Sequence, residues 1–163
     1  MDILHQTMRI DTGRLDIPVY ISLCGTDVVP LTGTKKQMGK GGTVIQAEAS
    51  ALMELAERFS FFSFIKNTPF ATATYRELDG SILPVETLWQ SLYDNETDTK
   101  LGTSVLRELP FRWTRAYNLT RNTEVLIPID WFYTINEYNG PAAGNVLEEA
   151  ILQSLCEVVE RHV

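Results

Sequence analysis

Residues 46–58 read Gln46-Ala47-Glu48-Ala49-Ser50-Ala51-Leu52-Met53-Glu54-Leu55-Ala56-Glu57-Arg58. Residues 149–161 read Glu149-Ala150-Ile151-Leu152-Gln153-Ser154-Leu155-Cys156-Glu157-Val158-Val159-Glu160-Arg161. Each stretch has an alanine, a leucine five residues on, and a closing Glu-x-x-Glu-Arg. Each is entered through glycine, Gly41-Gly42 in one and Gly144-Asn145 in the other. Thr43 is a suitable N-cap, so the first stretch predicts a helix running to about Phe62. On a helical wheel, Gln46, Ser50, Glu54 and Glu57 share an arc of about 80°, and Glu149, Gln153, Glu157 and Glu160 share the equivalent arc. Apolar side chains cover most of the remaining surface of both. A helix that is apolar nearly all round is a buried one, so both are expected inside the protein. Their polar stripes then face a cavity or each other.

That placement creates an electrostatic problem. Buried carboxylates are costly unless paired or bound to metal, and glutamates three residues apart on a helix repel. Arg58 and Arg161 bring two positive charges against Glu54, Glu57, Glu157 and Glu160. Divalent cations would complete the balance. The available donors are carboxylate and amide oxygens with no histidine or cysteine in the stripe, which favours Mg²⁺, then Mn²⁺ or Ca²⁺. A di-iron carboxylate site normally pairs Glu-x-x-His on its helices, and that histidine is missing. A single Glu-x-x-Glu-Arg reads most simply as a salt-bridged helix end. Its repetition with a matching apolar face favours a site.

The rest of the chain predicts strands around these helices. Ile17–Cys24 is β-rich, with Pro18 at its start. Gly25–Gly42 reads as a loop. Phe70–Tyr75 alternates like a strand, and Pro84–Tyr93 suits a short helix with proline in its first turn. Asp94–Thr99 reads as a polar loop. Arg112–Asn118 and Glu124–Ile129 form an expected hairpin, and Trp131–Ile135 a further strand. The fold class is α+β, or mixed α/β: a β-sheet packed on two buried, acidic-striped helices related by an internal repeat.

The chain has 163 residues, enough for one domain with a sizeable core. It is 44% hydrophobic and 21% charged, ordinary for a globular protein. The net charge of -7 argues against nonspecific nucleic-acid binding, which needs a basic face. Cys24 and Cys156 have no zinc-like spacing and read as two buried thiols of an intracellular protein. Residues 1–6 form neither a signal nor a transit peptide, and no apolar run approaches the ~20 residues that span a bilayer. The expected setting is cytoplasmic, without membrane or nucleic-acid partners. Two glycosylation patterns, at Asn95 and Asn118, then read as chance. No stop signal follows the last helix before Val163, so residues 1–163 are expected to form a single partial domain, cut within a longer one.

At the repeated helices the sequence resembles a known family. Gln37-Met38-Gly39-Lys40-Gly41, followed by Ser50-Ala51-Leu52-Met53-Glu54-Leu55-Ala56-Glu57-Arg58, resembles the first signature of the YcaO superfamily. Asn139-Gly140-Pro141-Ala142-Ala143-Gly144-Asn145, with Leu147-Glu148-Glu149-Ala150 and Leu155-Cys156-Glu157-Val158-Val159-Glu160-Arg161, resembles its second. Ile17-Pro18-Val19-Tyr20 matches its early strand. The resemblance implies binding of ATP and Mg²⁺ and activation of a peptide backbone amide by phosphorylation, with an azoline or thioamide as product. It further implies that Glu54, Glu57, Glu157 and Glu160 form the Mg²⁺–phosphate cluster and that Ser50, Asn145, Glu149 and Arg161 contact the nucleotide. Arg58 is the weaker assignment, and it could simply neutralise its neighbours. The implied partner is a peptide or protein substrate. An accessory partner protein and a homo-oligomer both stay open, and no catalytic residue is singled out.

Other residues carry less. Lys40 follows Gly39 without the spacing of a Walker A loop and reads as well as a solvated lysine. His5 and His162 sit in no motif. Trp89, Trp113 and Trp131 lie in apolar contexts and read as core. Phe59, Phe61, Phe62 and Phe64 read as core packing, with a partner surface as the sharper alternative. Two further readings stand beside the enzyme: a nucleotide-binding or scaffold module without catalysis, and an inactive fragment.

Overall fold

The structure, a computed structural model, describes residues 1–13, 15–92 and 98–162. In chain order its elements are β1 (Leu4–Arg9), β2 (Val19–Cys24), α1 (Val29–Thr32), β3 (Lys36–Lys40), α2 (Val44–Asn67), β4 (Ala71–Ala73), a 3₁₀ turn (Tyr75–Glu77), α3 (Val85–Gln90), α4 (Thr99–Glu108), β5 (Phe111–Asn118), β6 (Thr123–Pro128), α5 (Ile129–Asn136) and α6 (Leu147–His162). The strands form two antiparallel sheets, ordered β1-β2-β3 and β4-β5-β6. The mixed α+β class expected from the sequence is the class observed. The chain divides into two compact units, one of Met1–Thr68 with Asn139–Val163 and one of Pro69–Tyr138. Among the described residues no helix is long and apolar enough to cross a membrane.

In the first unit, α2 packs along one face of the β1-β2-β3 sheet. Thr43 caps the helix, its side chain accepting from the Gln46 N–H at 3.2 Å, as the sequence predicts. The helix runs five residues further than expected, to Asn67. Ala47, Ala51 and Leu55 recur every four residues and form its buried seam. The sheet meets that seam with small groups. Ser22, fully buried, donates its hydroxyl to the Ala51 carbonyl at 2.8 Å. Opposite, Gly39 lies so near the helix that a Cβ there would stand 2.0 Å from the Ala51 nitrogen and 2.5 Å from the Ala47 oxygen. Only glycine fits, because the obstructing atoms are backbone.

Pairing of β3 with β2 sets Gly39 against Tyr20 and Gln37 against Ser22. The segment expected as one loop, residues 25–42, therefore contains α1 and β3. The strand escapes sequence reading because its inward positions are Gln37 and Gly39 rather than apolar side chains. Helix α6 departs from expectation more sharply. None of its residues is buried, and Leu152, Leu155, Val158 and Val159 are exposed. Cys156 is exposed and Cys24 is half-buried, so the expected pair of buried thiols is not observed.

The second unit has its own core of Val85, Leu88, Leu106, Phe111 and Trp113. Tyr75 meets Trp113 edge-to-face at 4.9 Å, and Phe111 meets Trp131 the same way at 6.2 Å. The tryptophan core expected from sequence is thus observed. The expected hairpin is β5–β6, in register from Trp113↔Pro128 to Asn118↔Thr123. The expected 131–135 strand is instead the body of α5. A short aromatic run does not distinguish strand from helix by periodicity. Here Pro128 closes β6, and Asp130 accepts from the Arg112 N–H at 2.8 Å and its Nε at 2.6 Å, which ties the first helical turn to β5. The glycosylation pattern at Asn95 and most of the expected 94–99 loop lie outside the described residues.

Candidate functional site

The two repeated helices do converge. Between α2 and α6 lies an open cleft of about 520 Å³, lined by Ser50, Met53, Glu54 and Glu57 from one helix and by Glu149, Leu152, Gln153 and Cys156 from the other. Ala143 and Asn145 close one end. Of the residues singled out in the sequence, Ser50, Glu54, Glu57, Asn145 and Glu149 line this cleft. Glu157 stands close enough to Glu57 for its charge to act on it. Glu160 and Arg161 are exposed and are not among the lining residues.

The spacing of the repeat explains the convergence. Ser50, Glu54 and Glu57 are four and three residues apart, so they stack on one side of α2. That stripe borders the Ala47–Ala51–Leu55 seam held by the sheet, about a quarter-turn around the helix from it. On α6, Glu149, Gln153 and Glu157 stack in the same manner. The Asn139–Asn145 segment tethers α6 at its start. Ser154 donates its hydroxyl to the Gly140 carbonyl, and the Gly140 N–H donates to Glu157 at 3.3 Å. Glu149 reaches back to accept from the Asn145 N–H at 2.7 Å and from its side-chain amide at 3.0 Å. A first-turn carboxylate thus holds the chain entering the helix.

Each carboxylate is turned onto a neighbouring donor. Arg58 meets Glu54 at 2.9 Å and Glu57 at 3.5 Å, with all three side chains largely buried. Arg161 meets Glu157 at 3.3 Å in the equivalent place on the second copy. Among the described residues no three His, Cys, Asp or Glu side chains converge as a ready-made metal cage. The negative charge is nonetheless in excess. Burial pushes the Glu57 carboxyl up to about 7, with Glu54 and Glu157 adding to the rise and Arg58 only partly opposing it. A carboxyl whose ionisation is opposed by burial and by its neighbours' charge, in an oxygen-rich cleft, gains most from an added cation, which would favour its carboxylate form. The donor set fits a hard divalent cation such as Mg²⁺.

Sequence reading missed Met53, Ala143, Leu152 and Cys156 as lining residues. Leu152 and Cys156 flank the polar stripe of α6, and the wheel assigned them to a buried side. Lys40 is an exposed residue of β3 opposite Val19. His5 and His162 are exposed.

A second groove of about 550 Å³ adjoins the first, sharing Met53, Glu57 and Ala143. Its remaining wall is largely apolar, including Phe61 and Phe64 of α2 and Pro141 and Ala142 of the tether, with Ser60 the one polar side chain. Part of the phenylalanine cluster therefore lines a surface groove rather than a closed core.

Comparison with known proteins identifies relatives of this chain. An uncharacterized protein of Methanothermobacter thermautotrophicus is 38% identical over 160 residues, covering 91% of this chain and 38% of that protein. The fold matches a YcaO protein from Methanopyrus kandleri, in a structure bound with AMPPCP and Mg²⁺, with a TM-score of 0.59 at 24% identity. That match covers 98% of this chain and 37% of the other. A heterocyclase in complex with substrate and cofactor matches with a TM-score of 0.57 at 23% identity, covering 93% of this chain and 24% of that one. This chain thus spans well under half the length of the relatives it matches. The family model described as YcaO cyclodehydratase, ATP- and Mg²⁺-binding, matches residues 38–163, a span that contains both acidic helices and the tether between them. The chain belongs to the YcaO family, whose cofactors are ATP and Mg²⁺.

Proposed function

We propose that this chain supplies the nucleotide- and Mg²⁺-binding part of an enzyme that activates a peptide backbone amide by phosphorylation, leading to an azoline or a thioamide. The observation that carries this reading is the cleft between α2 and α6, where Ser50, Glu54, Glu57, Asn145 and Glu149 meet and Glu57 is held near neutrality. Bound Mg²⁺–ATP would supply the phosphoryl group and neutralise the charge that develops during its transfer. The chain's own part is positioning. Glu54, Glu57 and Glu157 would hold the cation, with Glu160 completing the set if α6 turns it inward. Ser50, Asn145, Glu149 and Arg161 would hold the nucleotide. Rigid helices suit this task, because phosphoryl transfer depends on fixed geometry and fixed charge.

The pairing of Glu54 and Glu57 with Arg58, and of Glu157 with Arg161, favours a second reading, a nucleotide-binding module without catalysis of its own. Melting curves with and without Mg²⁺–ATP test the common ground. Saturating nucleotide should raise the melting temperature, and Glu54→Ala with Glu157→Ala should remove the rise. An unchanged wild-type curve rejects both readings. Incubation with candidate peptides separates them. The enzyme releases phosphate only with peptide and changes the peptide's mass, whereas the module binds without turnover. The peptide's identity, any accessory protein and a cytoplasmic setting belong to this proposal and stand or fall with such experiments.

A further inference from the structure

Three residues before the first glutamate of Glu-x-x-Glu-Arg, the first copy of the repeat carries Ala51 and the second carries Ser154. A glycine of the preceding segment meets this position in both copies, Gly39 at Ala51 and Gly140 at Ser154. Gly39 only packs against backbone. Gly140 is bonded to α6 through both of its polar groups. Its carbonyl accepts from the Ser154 hydroxyl, and its N–H donates to the Glu157 carboxylate at 3.3 Å. A serine inside a helix often turns its hydroxyl back onto a carbonyl of its own helix, but Ser154 turns its own outward to the tether. Gly140 suits this place because its φ is +99°, and a Cβ there would stand 3.3 Å from the Val158 Cγ2. The other oxygen of Glu157 accepts from Arg161 Nε at 3.3 Å. Each oxygen of Glu157 thus has one donor, and the side chain is only 18% exposed. A carboxylate offers about four acceptor positions, so roughly half stay open to a cation, with their direction set by these two donors.

The geometry points to Ser154 as a positioning residue of the cation site, which acts through Gly140 to fix the orientation of the Glu157 carboxylate. The inference rests on the reading of the cleft as a nucleotide and Mg²⁺ site. Outer partners that orient a metal-binding side chain are typically worth about 10–100-fold in metal affinity. Ser154 acts one hydrogen bond further out, so its share is smaller. It should fall mainly on a metal that demands fixed geometry. Mg²⁺ needs short, near-octahedral oxygen contacts, whereas Ca²⁺ tolerates variable ones. Ser154 therefore contributes to the preference for Mg²⁺ as well as to affinity.

The test is calorimetric titration of AMPPCP with Mg²⁺, and separately with Ca²⁺, into wild type, Ser154→Ala and Ser154→Thr. Alanine is the better helix former, so Ser154→Ala does not weaken α6 through propensity. It should bind Mg²⁺–AMPPCP roughly fivefold more weakly and Ca²⁺–AMPPCP within about twofold of wild type. Ser154→Thr keeps the hydroxyl and should restore Mg²⁺–AMPPCP to within about twofold. Without ligand, amide exchange at Gly140 should quicken several-fold in Ser154→Ala, while the melting temperature holds. Unchanged Mg²⁺–AMPPCP binding in Ser154→Ala would overturn the inference and leave the functional reading intact. Equal weakening for both cations would overturn it too, because a merely structural serine acts on both alike. A wild-type chain that binds neither complex would overturn the functional reading and this inference together.

Discussion

Glu57 on α2 and Glu157 on α6 lie close enough that the charge of one opposes ionisation of the other. They occupy non-equivalent places in the two copies of Glu-x-x-Glu-Arg, the second glutamate of one and the first of the other. The contact makes the repeat a shared site rather than two independent helix ends. Replacing Glu157 with Gln should therefore lower the midpoint of Glu57 below about 7. A carbon-13 titration of the Glu57 carboxyl reads this directly. A midpoint unmoved by the substitution would show that the two helices do not face each other in solution.

The same carboxyl makes stability depend on pH. Its folded midpoint of about 7 lies above the ordinary 4.5. The folded state therefore holds this proton more tightly than the unfolded state does. The associated stability is fully present below about pH 4.5 and is lost as pH rises through about 7. Glu57→Gln, which mimics the protonated form, should match wild type near pH 4 and melt higher than wild type at pH 8. The gain at pH 8 should be of order 2 kcal/mol, after allowing for the water that reaches the cleft. An equal change in melting temperature at both pH values would refute the linkage.

Gly39 is where the sheet and α2 touch most closely. A methyl group at this position meets no side chain that could give way, but the backbone of Ala47, Ser50 and Ala51. Gly39→Ala should cost about 3 kcal/mol in urea unfolding of the first unit, the upper part of the range for overpacking. Gly42→Ala, whose nearest obstruction is the end of the Gln46 side chain at 3.3 Å, is the control and should cost far less. Equal costs at the two positions would contradict the packing described.

In the second unit, the Tyr75 hydroxyl is buried with no hydrogen-bond partner among the described residues. Burial pushes its ionisation up to about 12. Its ring, by contrast, packs edge-on against Phe111 and Trp113. Tyr75→Phe keeps the ring and removes an unsatisfied group, so stability should be unchanged or rise by about 1 kcal/mol. A clear loss in chemical denaturation would mean that the hydroxyl has a partner in solution.

Asp130 joins α5 to β5 by accepting from both the backbone and the guanidinium of Arg112. Asp130→Ala strips the Arg112 N–H of its acceptor and should cost about 1–2 kcal/mol. The loss should show as faster amide exchange at Arg112 and along α5, with the Trp113 core retained. Unaltered exchange there would show that the aromatic contact of Trp131 with Phe111 suffices to hold the helix.

Local signals in the chain were read correctly where a short range decides the outcome. Thr43 caps α2 because its hydroxyl meets a backbone N–H three residues away. The turn around residues 119–122 makes a hairpin because both strands are its immediate neighbours. The cleft residues were legible for the same reason: a spacing of three and four puts Ser50, Glu54 and Glu57 on one side of a helix whatever lies beyond. What failed were cases where distant partners decide. Lys36–Lys40 is a strand because β2 and α2 meet it, not because its residues alternate. Trp131–Ile135 is helical because Arg112 anchors Asp130 from another strand.

The sequence by itself determined that two acidic-striped helices exist, since helical periodicity is a property of consecutive residues. Only the tertiary structure decided which sides of them are covered. The wheel cannot tell a strip pressed on a sheet, as at Ala47 and Ala51, from one left to water, as at Leu155 and Val159. Burial depends on what else the chain brings to that surface, and that is a property of the packed whole rather than of any stretch within it.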